Sequence, residues 1–244
     1  MGWGWLYKAL YIARKDIRVY YLKAPNLTYG LLMPVALYLA FGITGQMNPV
    51  TLVSGLVSLV ILFGTMSIEA VAVVMEKQTG TIDRLMAAPI TPLTLVLGKA
   101  FAGTFLGPLV AASVLLPLMI YSGASIASPL LVFLAILISS FTFSALGTLV
   151  SSYARWVPEA QMYSNLLRFP MAFLAGTFIP LSSMPSQIQI VARLLPLTYT
   201  VEALRSAIES TTVTFTYVVD LWALILFSAA SVIASTWTLN RSRL

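Results

Sequence analysis

The sequence predicts an all-α integral membrane protein with six transmembrane helices, as its composition and the length of its apolar runs indicate. Of the 244 residues, 59% are hydrophobic and only 9% are charged, and the mean hydropathy is +0.92. Because so few charges cannot cover the surface of a soluble domain, lipid is the expected solvent. Six stretches approach the roughly 20 apolar residues that cross about 30 Å of hydrocarbon.

We place the six spans at residues 27–45, 50–75, 93–120, 129–152, 161–180 and 217–239, all within a single transmembrane domain of residues 1–244. Of the 14 lysines and arginines, all but Arg193 and Arg205 fall on one side if the spans alternate in direction. Cytoplasmic segments carry the excess of basic residues. We therefore expect a multi-pass protein of the cell membrane with both termini in the cytoplasm.

Residues 1–25 precede the first span and predict an amphipathic helix. At helical spacing, one arc gathers Trp3, Leu6, Leu10, Ala13, Ile17 and Tyr20. The charges from Lys8 to Lys23 fall outside that arc, which favours a helix lying in the interface against membrane lipids. The alternative is a helix that packs against a partner.

The loop of residues 76–92, between spans 2 and 3, predicts a short helix. Thr81 suits its N-cap, Asp83 suits its positive amino-terminal end, and Pro89 stops it after about two turns. Three residues, Ile82, Leu85 and Met86, then share one face. Such an apolar face on a charged loop suits a groove on another protein, although incidental surface hydrophobes would explain it equally well.

The segment of residues 181–216, between spans 5 and 6, predicts an external helical hairpin that dips back into the membrane. Three prolines, Pro180, Pro185 and Pro196, divide it into pieces too short to span. Two apolar faces are expected, one of Ile188, Val191 and Leu195 and the other of Val201, Leu204 and Ile208. Arg205 has the helical spacing to pair with Glu202 or Glu209. An ordinary external loop is the alternative.

Charges inside predicted spans are costly, and the two candidates for a functional role are Glu69 in span 2 and Arg168 in span 5. We expect one or both to face a polar pathway or to pair across a dimer. The alternative is a structural pair or side chains that reach the nearby membrane surface. Lesser polar candidates are Gln161, Ser164, Asn165 and Asp220.

Several chemistries are excluded by the sequence. It contains no cysteine and no histidine, which removes thiol and imidazole catalysis and the usual zinc ligands. It has no phosphate-binding loop, since Gly98-Lys99 is followed by Ala100 and lacks the upstream glycine. The scattered basic residues do not form a nucleic-acid-binding stripe. We therefore expect no catalytic residue, metal site or cofactor on this chain, and no nucleic-acid partner.

Two motifs resemble those of ABC-2-type transporter permeases. The first is Glu76-x-x-x-Gly80-Thr81-x-Asp83-x-Leu85-x-x-x-Pro89, followed by Leu97-Gly98-Lys99. The second is Gly176-Thr-Phe-Ile-Pro180-Leu181-x-x-Met184-Pro185, followed by Leu195-Pro196-Leu197-Thr198-Tyr199-x-x-Glu202-Ala203-Leu204-Arg205. With six spans and an amphipathic first helix, the resemblance covers nearly the whole chain. The chain departs from many relatives at Lys77-Gln78, which displaces the acidic residue that usually lies closer to Gly-Thr.

The resemblance implies a drug- or lipid-exporter-like permease of the type V exporter fold, with a prokaryotic source. The helix near residues 82–88 would be a coupling helix seated on a separate ABC-type ATPase, which would bind ATP and Mg²⁺. The coupling residues would be Glu76, Gly80, Thr81, Ile82, Asp83, Leu85, Met86 and Pro89. A second permease copy, expected to form a homodimer, would complete the pathway. The exported cargo would be hydrophobic or amphipathic, such as a drug, a lipid or a lipid-linked molecule.

Two other functions fit a polytopic membrane protein. A secondary transporter or channel without an ATPase would normally carry more ionisable residues deep in its spans. A non-transporting membrane scaffold would need only a partner surface. Binding and response of an ATPase subunit distinguish the permease from both.

Overall fold

The structure, a computed structural model, describes residues 4–21, 32, 36, 48–122 and 125–241, and these residues form no strand. Predicted span 1, at residues 27–45, lies outside the described residues apart from Leu32 and Ala36. The helices are α1 (Gly4–Asp16), α2 (Pro49–Gln78), α3 (Thr81–Ala87), α4 (Pro92–Ser122), α5 (Pro129–Tyr153), α6 (Val157–Leu174), α7 (Ser186–Ala192), α8 (Pro196–Glu209) and α9 (Phe215–Arg241).

Four of these helices, α2, α4, α5 and α9, are long and apolar enough to cross a membrane. They correspond to predicted spans 2, 3, 4 and 6. Helix α2 begins where the Asn48 side chain accepts a hydrogen bond from the Val50 amide, and Pro49 occupies its first turn. A π-helical turn at Leu62–Met66 interrupts it without breaking it.

Helix α6 ends earlier than predicted span 5, which we placed at residues 161–180. It stops at Leu174, and Gly176 follows with a left-handed φ of 82°. The Thr177 hydroxyl donates to the Ala172 carbonyl and satisfies an acceptor in the last turn. The apolar sequence continues through Phe178 and Ile179, but the glycine and this hydroxyl terminate the helix.

The bundle has two ends, defined here by the short helices at each. The near end contains α1 and α3, together with the carboxyl ends of α2, α5 and α9. The far end contains α7 and α8, together with the amino-terminal ends of α2, α5 and α9. One apolar core joins α2, α4, α5 and α8, and a smaller cluster at the near end joins α1, α3, α4 and α9.

Helix α1 packs on α4 through a face that overlaps the predicted arc only in part. Its buried residues are Ala9, Ile12, Ala13 and Asp16. Leu10 of the predicted arc is exposed, whereas Ala13, Ile17 and Tyr20 do pack inward. Trp3 lies outside the described residues. The charge Asp16, expected on the polar side, lies in the packed face.

Candidate functional site

Five charged side chains meet at the near end, where α1, α2 and α4 come together. Two are lysines, Lys15 and Lys99, and three are carboxylates, Asp16, Glu69 and Glu76. All except the partly exposed Lys15 are buried, with relative exposures of 0 to 1%. We call these five residues the ionic cluster.

Lys99 is the centre of the ionic cluster. Its Nζ lies 2.7 Å from Glu76 Oε2, 3.1 Å from Asp16 Oδ2 and 3.6 Å from Glu69 Oε1. Lys15 lies at the edge, where its Nζ is 2.9 Å from Asp16 Oδ1 and also contacts Glu76 Oε1. One lysine therefore joins three carboxylates from two other helices, so that α1 and α2 are both held to α4.

The net charge of the ionic cluster is −1 when all five groups are ionised, because two lysines face three carboxylates. Burial raises the pKa of Asp16, but Lys99 and Lys15 together lower it further, and the net shift is downward. Burial, followed by the charge of Glu76, raises the pKa of Tyr20, which lies just beyond α1. Asp16 is therefore ionised in the docked helix.

Gly98 lets α1 approach α4 closely enough for these pairs to form. A Cβ atom at Gly98 would lie 2.8 Å from Ile12 Cβ and 2.9 Å from the Ala9 carbonyl oxygen. Those distances are shorter than van der Waals contact, so a side chain at Gly98 would push α1 away. Gly98 and Lys99 thus act together. Gly98 leaves room for α1, and Lys99 binds α1 through Asp16.

Helix α3, the predicted coupling helix, spans Thr81–Ala87 and joins the same assembly. Gly80 precedes it with a left-handed φ of 66° and occupies the N-cap position. Thr81 does not cap the helix as predicted, because its hydroxyl bonds instead to the Thr79 hydroxyl at 2.9 Å. At the other end, Lys8 of α1 donates to the Pro89 carbonyl at 2.7 Å.

The apolar face of α3 is turned inward, which corrects the expectation of an open knob. Ile82 is 7% exposed in the cluster of α1, α4 and α9, and Leu85 and Met86 pack against the same cluster. The exposed residues of α3 and of the two positions after it are Asp83, Arg84, Ala87, Ala88 and Pro89. Because the apolar residues of α3 pack against other helices of the same chain, a partner would meet the opposite side of α3, which carries Asp83 and Arg84.

The structure also places Glu76 away from a partner surface. Its side chain is fully buried in the ionic cluster, whereas the prediction grouped it with residues that contact an ATPase. Burial next to two lysines is the physical reason, since an ionised carboxylate leaves water only when it is paired. Lys77, the next residue, faces the other way and donates to the Ser151 carbonyl at 2.6 Å.

Glu69 and Arg168, the two predicted intramembrane charges, lie in different environments. Glu69 contacts Lys99 of the same chain. Arg168 donates to Asn165 Oδ1 at 2.7 Å and to Gln161 Oε1 at 3.2 Å, and its guanidinium lies 4.9 Å from the Phe63 ring centroid. Gln161 and Asn165, predicted as polar candidates, thus hold Arg168 on its own helix. Phe63 lies in the π-helical turn of α2.

The predicted hairpin residues meet at the far end. Helix α8 buries Val201, Leu204 and Ile208, the face that the sequence indicated. Pro196 starts α8, and Pro180 and Pro185 flank the turns before α7. Hydrogen bonds from Ala127 and Ser128 to the Ile208 and Ala207 carbonyls attach the end of α8 to the segment before α5.

The expected pairs of Arg205 on its own helix are replaced by other contacts. Arg205 Nη2 donates to the Gly176 carbonyl at 3.3 Å, so the two halves of the second motif touch. Glu202 instead pairs with Arg193 at 3.9 Å. Tyr199 donates to the Arg193 carbonyl at 2.7 Å. Burial lowers the pKa of Arg205, while Glu209 and Glu202 act in the opposite direction.

Sequence reasoning missed Asp16, Lys15 and Lys99 as site residues. Lys99 serves in the sequence analysis as a topology marker and as the end of the first motif, although it lies seven residues inside the helix that begins at Pro92. Asp16 is the first acidic residue of the chain, within a segment otherwise rich in lysine and arginine. A single acid in a basic helix and a single lysine inside an apolar span were the available signals.

The sequence model of the family described as ABC-2 type transporter matches residues 3–208. The match runs from α1 through α8 and therefore includes both the ionic cluster and the second motif. The chain belongs to the ABC-2 type transporter family. No curated protein matches the chain.

Membership establishes the general role of the chain as a membrane component of an ABC transporter. Members of this family are transport components, generally not catalytic themselves, and they typically pair with an ATP-binding subunit. The four apolar helices α2, α4, α5 and α9 agree with a multi-pass membrane protein. The ionic cluster, α1 and α3 are therefore parts of an ABC-2 permease.

Proposed function

We propose that this ABC-2 permease exports a hydrophobic or amphipathic molecule, driven by ATP hydrolysis on a separate subunit that docks at the near end. In this proposal the near end and both termini are cytoplasmic, and two copies of the chain form the pathway. The observation that carries the proposal is the joining of α3, α1 and α4 into one unit. A push on α3 would move that unit as a whole.

Three contacts support transmission through this unit. Ile82 packs into the cluster that contains Ile12 of α1 and Leu95 of α4. Lys8 fastens α1 to the end of the loop at Pro89. The ionic cluster then binds α1 to α2 and α4. Packed cores and ion pairs resist deformation, so displacement at the surface reaches the bases of two spans.

The docking surface in this proposal is the exposed side of the α3 loop, with Asp83, Arg84 and Ala87 at its centre. Gly80 gives the loop its left-handed turn, and Leu85 and Met86 fix the helix on the bundle. The predicted coupling residues thus divide into an outer set that touches the ATPase and an inner set that transmits its movement. Glu76 belongs to the inner set.

The cargo class is supported by an apolar cleft between α5 and α6. The cleft has a volume of about 430 Å³ and is lined by Leu149, Val150, Tyr153, Tyr163, Leu166 and Leu167. Four aliphatic side chains and two phenols suit a molecule with an apolar body and a polar group. The buried Arg168 and its amide partners lie on the same helix as Leu166 and Leu167.

The docking proposal is tested with Ala87→Arg, which adds bulk and charge to the exposed surface of α3. Gln187→Arg, on an exposed position of α7 at the far end, is the matched control. An ABC-type ATPase co-expressed as the candidate partner should co-purify with the wild type and with the control. We expect Ala87→Arg to lose the complex or to uncouple hydrolysis from transport by tenfold or more, a change of about 1.4 kcal/mol. Equal behaviour of both variants would reject docking on α3.

The cargo proposal is tested by ligand-dependent ATPase activity in reconstituted membranes. Leu167→Trp fills part of the cleft, whereas Ile233→Trp changes an exposed position of α9 outside it. Stimulation by an amphipathic ligand should fall in Leu167→Trp and persist in Ile233→Trp. Stimulation that is unchanged in both variants would remove the cleft from the pathway.

A further inference from the structure

A second cavity lies at the far end, between α8 and the first turns of α9, and the permease function does not account for it. Its volume is about 320 Å³. The charged residues lining it are Arg193, Glu202, Arg205, Glu209 and Asp220. Two arginines and three carboxylates leave an excess of one negative charge when all are ionised.

Asp220 is the buried acidic residue of this cavity. Its side chain is on α9 and only 4% exposed, yet no hydrogen bond or ion pair from the described residues reaches its carboxylate. The arginines nearby are engaged elsewhere: Arg193 pairs with Glu202, and Arg205 donates to the Gly176 carbonyl. No positive group of the described residues lies within ion-pair distance of this carboxylate, so a cation that enters the cavity would have it as an acceptor.

The depth of Asp220 indicates which positive group is available. Asp220 lies five residues into α9, about 7.5 Å from its start at 1.5 Å per residue. Trp222, two residues later, is 61% exposed, as is typical of indoles at the headgroup level. The carboxylate therefore lies where lipid headgroups and small soluble amines can both reach it.

We propose that this cavity binds an organic ammonium group, with the Asp220 carboxylate as its acceptor and Glu209 as a second, exposed acidic group. The ammonium belongs either to the headgroup of a phospholipid such as phosphatidylethanolamine or to a free amine. In the first case Arg205, whose buried Nε has no hydrogen-bond partner among the described residues, lines the cavity and would face the phosphate. The cavity volume suits a headgroup-sized ligand.

The test is thermal unfolding of the purified chain, which needs no ATPase and is thus independent of the proposed transport function. Ethanolamine at ten times its Kd should raise Tm by about 3–6 °C. N-acetylethanolamine, which carries no positive charge, should give no rise. Nanodiscs of phosphatidylethanolamine are compared with nanodiscs of phosphatidylglycerol to test the lipid source.

Asp220→Asn should abolish the rise, whereas the control Asp83→Asn, an exposed acid at the near end, should keep it. A rise with ethanolamine identifies a free amine, and a rise confined to phosphatidylethanolamine nanodiscs identifies a headgroup. Either result supports the site. It is overturned if neither source stabilises the wild type, if the acetylated compound stabilises equally, or if Asp220→Asn retains the effect. Should Asp220→Asn fail to fold, the comparison of charged and acetylated compounds on the wild type decides.

Discussion

The two ends of the bundle are held by different interactions. At the near end, Lys99 joins Asp16, Glu69 and Glu76 in a buried ionic cluster. At the far end, several buried hydrogen bonds run from hydroxyl groups to carbonyls. Examples are Thr198 to Ala192 at 2.6 Å and Tyr217 to Leu131 at 2.7 Å.

This difference determines how much stability each end loses when a single contact is removed. Buried charges hold strongly while every partner is present, but the loss of one leaves the others unpaired and costly. Neutral hydrogen bonds and apolar packing hold helices together through many contributions, each of which is small. The near end should therefore behave as one unit, as a force-transmitting element requires, and the far end should tolerate single polar changes.

The largest expected effect is that of Lys99→Met at the centre of the ionic cluster. It leaves three buried carboxylates facing only Lys15, and removing one partner of a buried pair costs about 3–5 kcal/mol. Chemical unfolding in detergent should show this loss. Arg14→Met, an exposed position on α1, is the control and should change stability by less than about 0.5 kcal/mol.

Adding Glu76→Gln to Lys99→Met should restore part of the lost stability, because it removes one uncompensated carboxylate. If Lys99→Met is as stable as Arg14→Met, the cluster does not hold the near end, and the contrast between the ends fails.

Packing at the far end gives the next largest effect, through Gly55→Ala in α2. A Cβ there would lie 2.0 Å from the Thr177 carbonyl oxygen, a backbone atom in the turn after α6. Backbone must shift to admit it, so we expect a loss of about 1–3 kcal/mol. Gly4→Ala, which has nothing within 4 Å, is the control. Equal unfolding curves for both variants would show that the far end does not depend on this contact.

The third effect is a pH dependence confined to the near end. Because the pKa of Asp16 is lowered on folding, its contribution is fully present above the unfolded value of 3.8 and is lost as pH falls through the folded pKa. Lys15→Met removes one of the groups that lower this pKa, so the pH of α1 release should rise. Hydrogen exchange of α1 amides checks this, with α8 amides as the internal control. An unchanged release pH would exclude Lys15 from the cluster's electrostatics.

Long apolar runs were sufficient to predict the four described helices that are long and apolar enough to span. Span 2 was expected at residues 50–75 and forms Pro49–Gln78, and span 4 was expected at residues 129–152 and forms Pro129–Tyr153. Span 5 ended early because a left-handed glycine stops a helix even when the sequence beyond it stays apolar. Span 1 lies outside the described residues.

The candidate site was harder to predict because its residues are distant in sequence. Asp16 and Lys99 are 83 residues apart, and no local pattern connects them. The pattern of Ile82, Leu85 and Met86 correctly indicated an apolar face but not its direction, which depends on α1 and α4. Helical periodicity gives the faces of an element, whereas tertiary packing decides which face is covered.

The smallest expected effect concerns the ion pair of Arg193 and Glu202 at the far end. Its atoms are 3.9 Å apart and its side chains are 57% and 29% exposed, so water and salt screen the attraction. Glu202→Gln should therefore cost about 0–1 kcal/mol, and the difference should vanish in high salt. Unfolding of Glu202→Gln and of the wild type, compared at low and high ionic strength, measures it. A loss as large and as salt-insensitive as that of Lys99→Met would mean that charge holds both ends alike. The difference in burial of the charges would then not explain a difference between the near end and the far end.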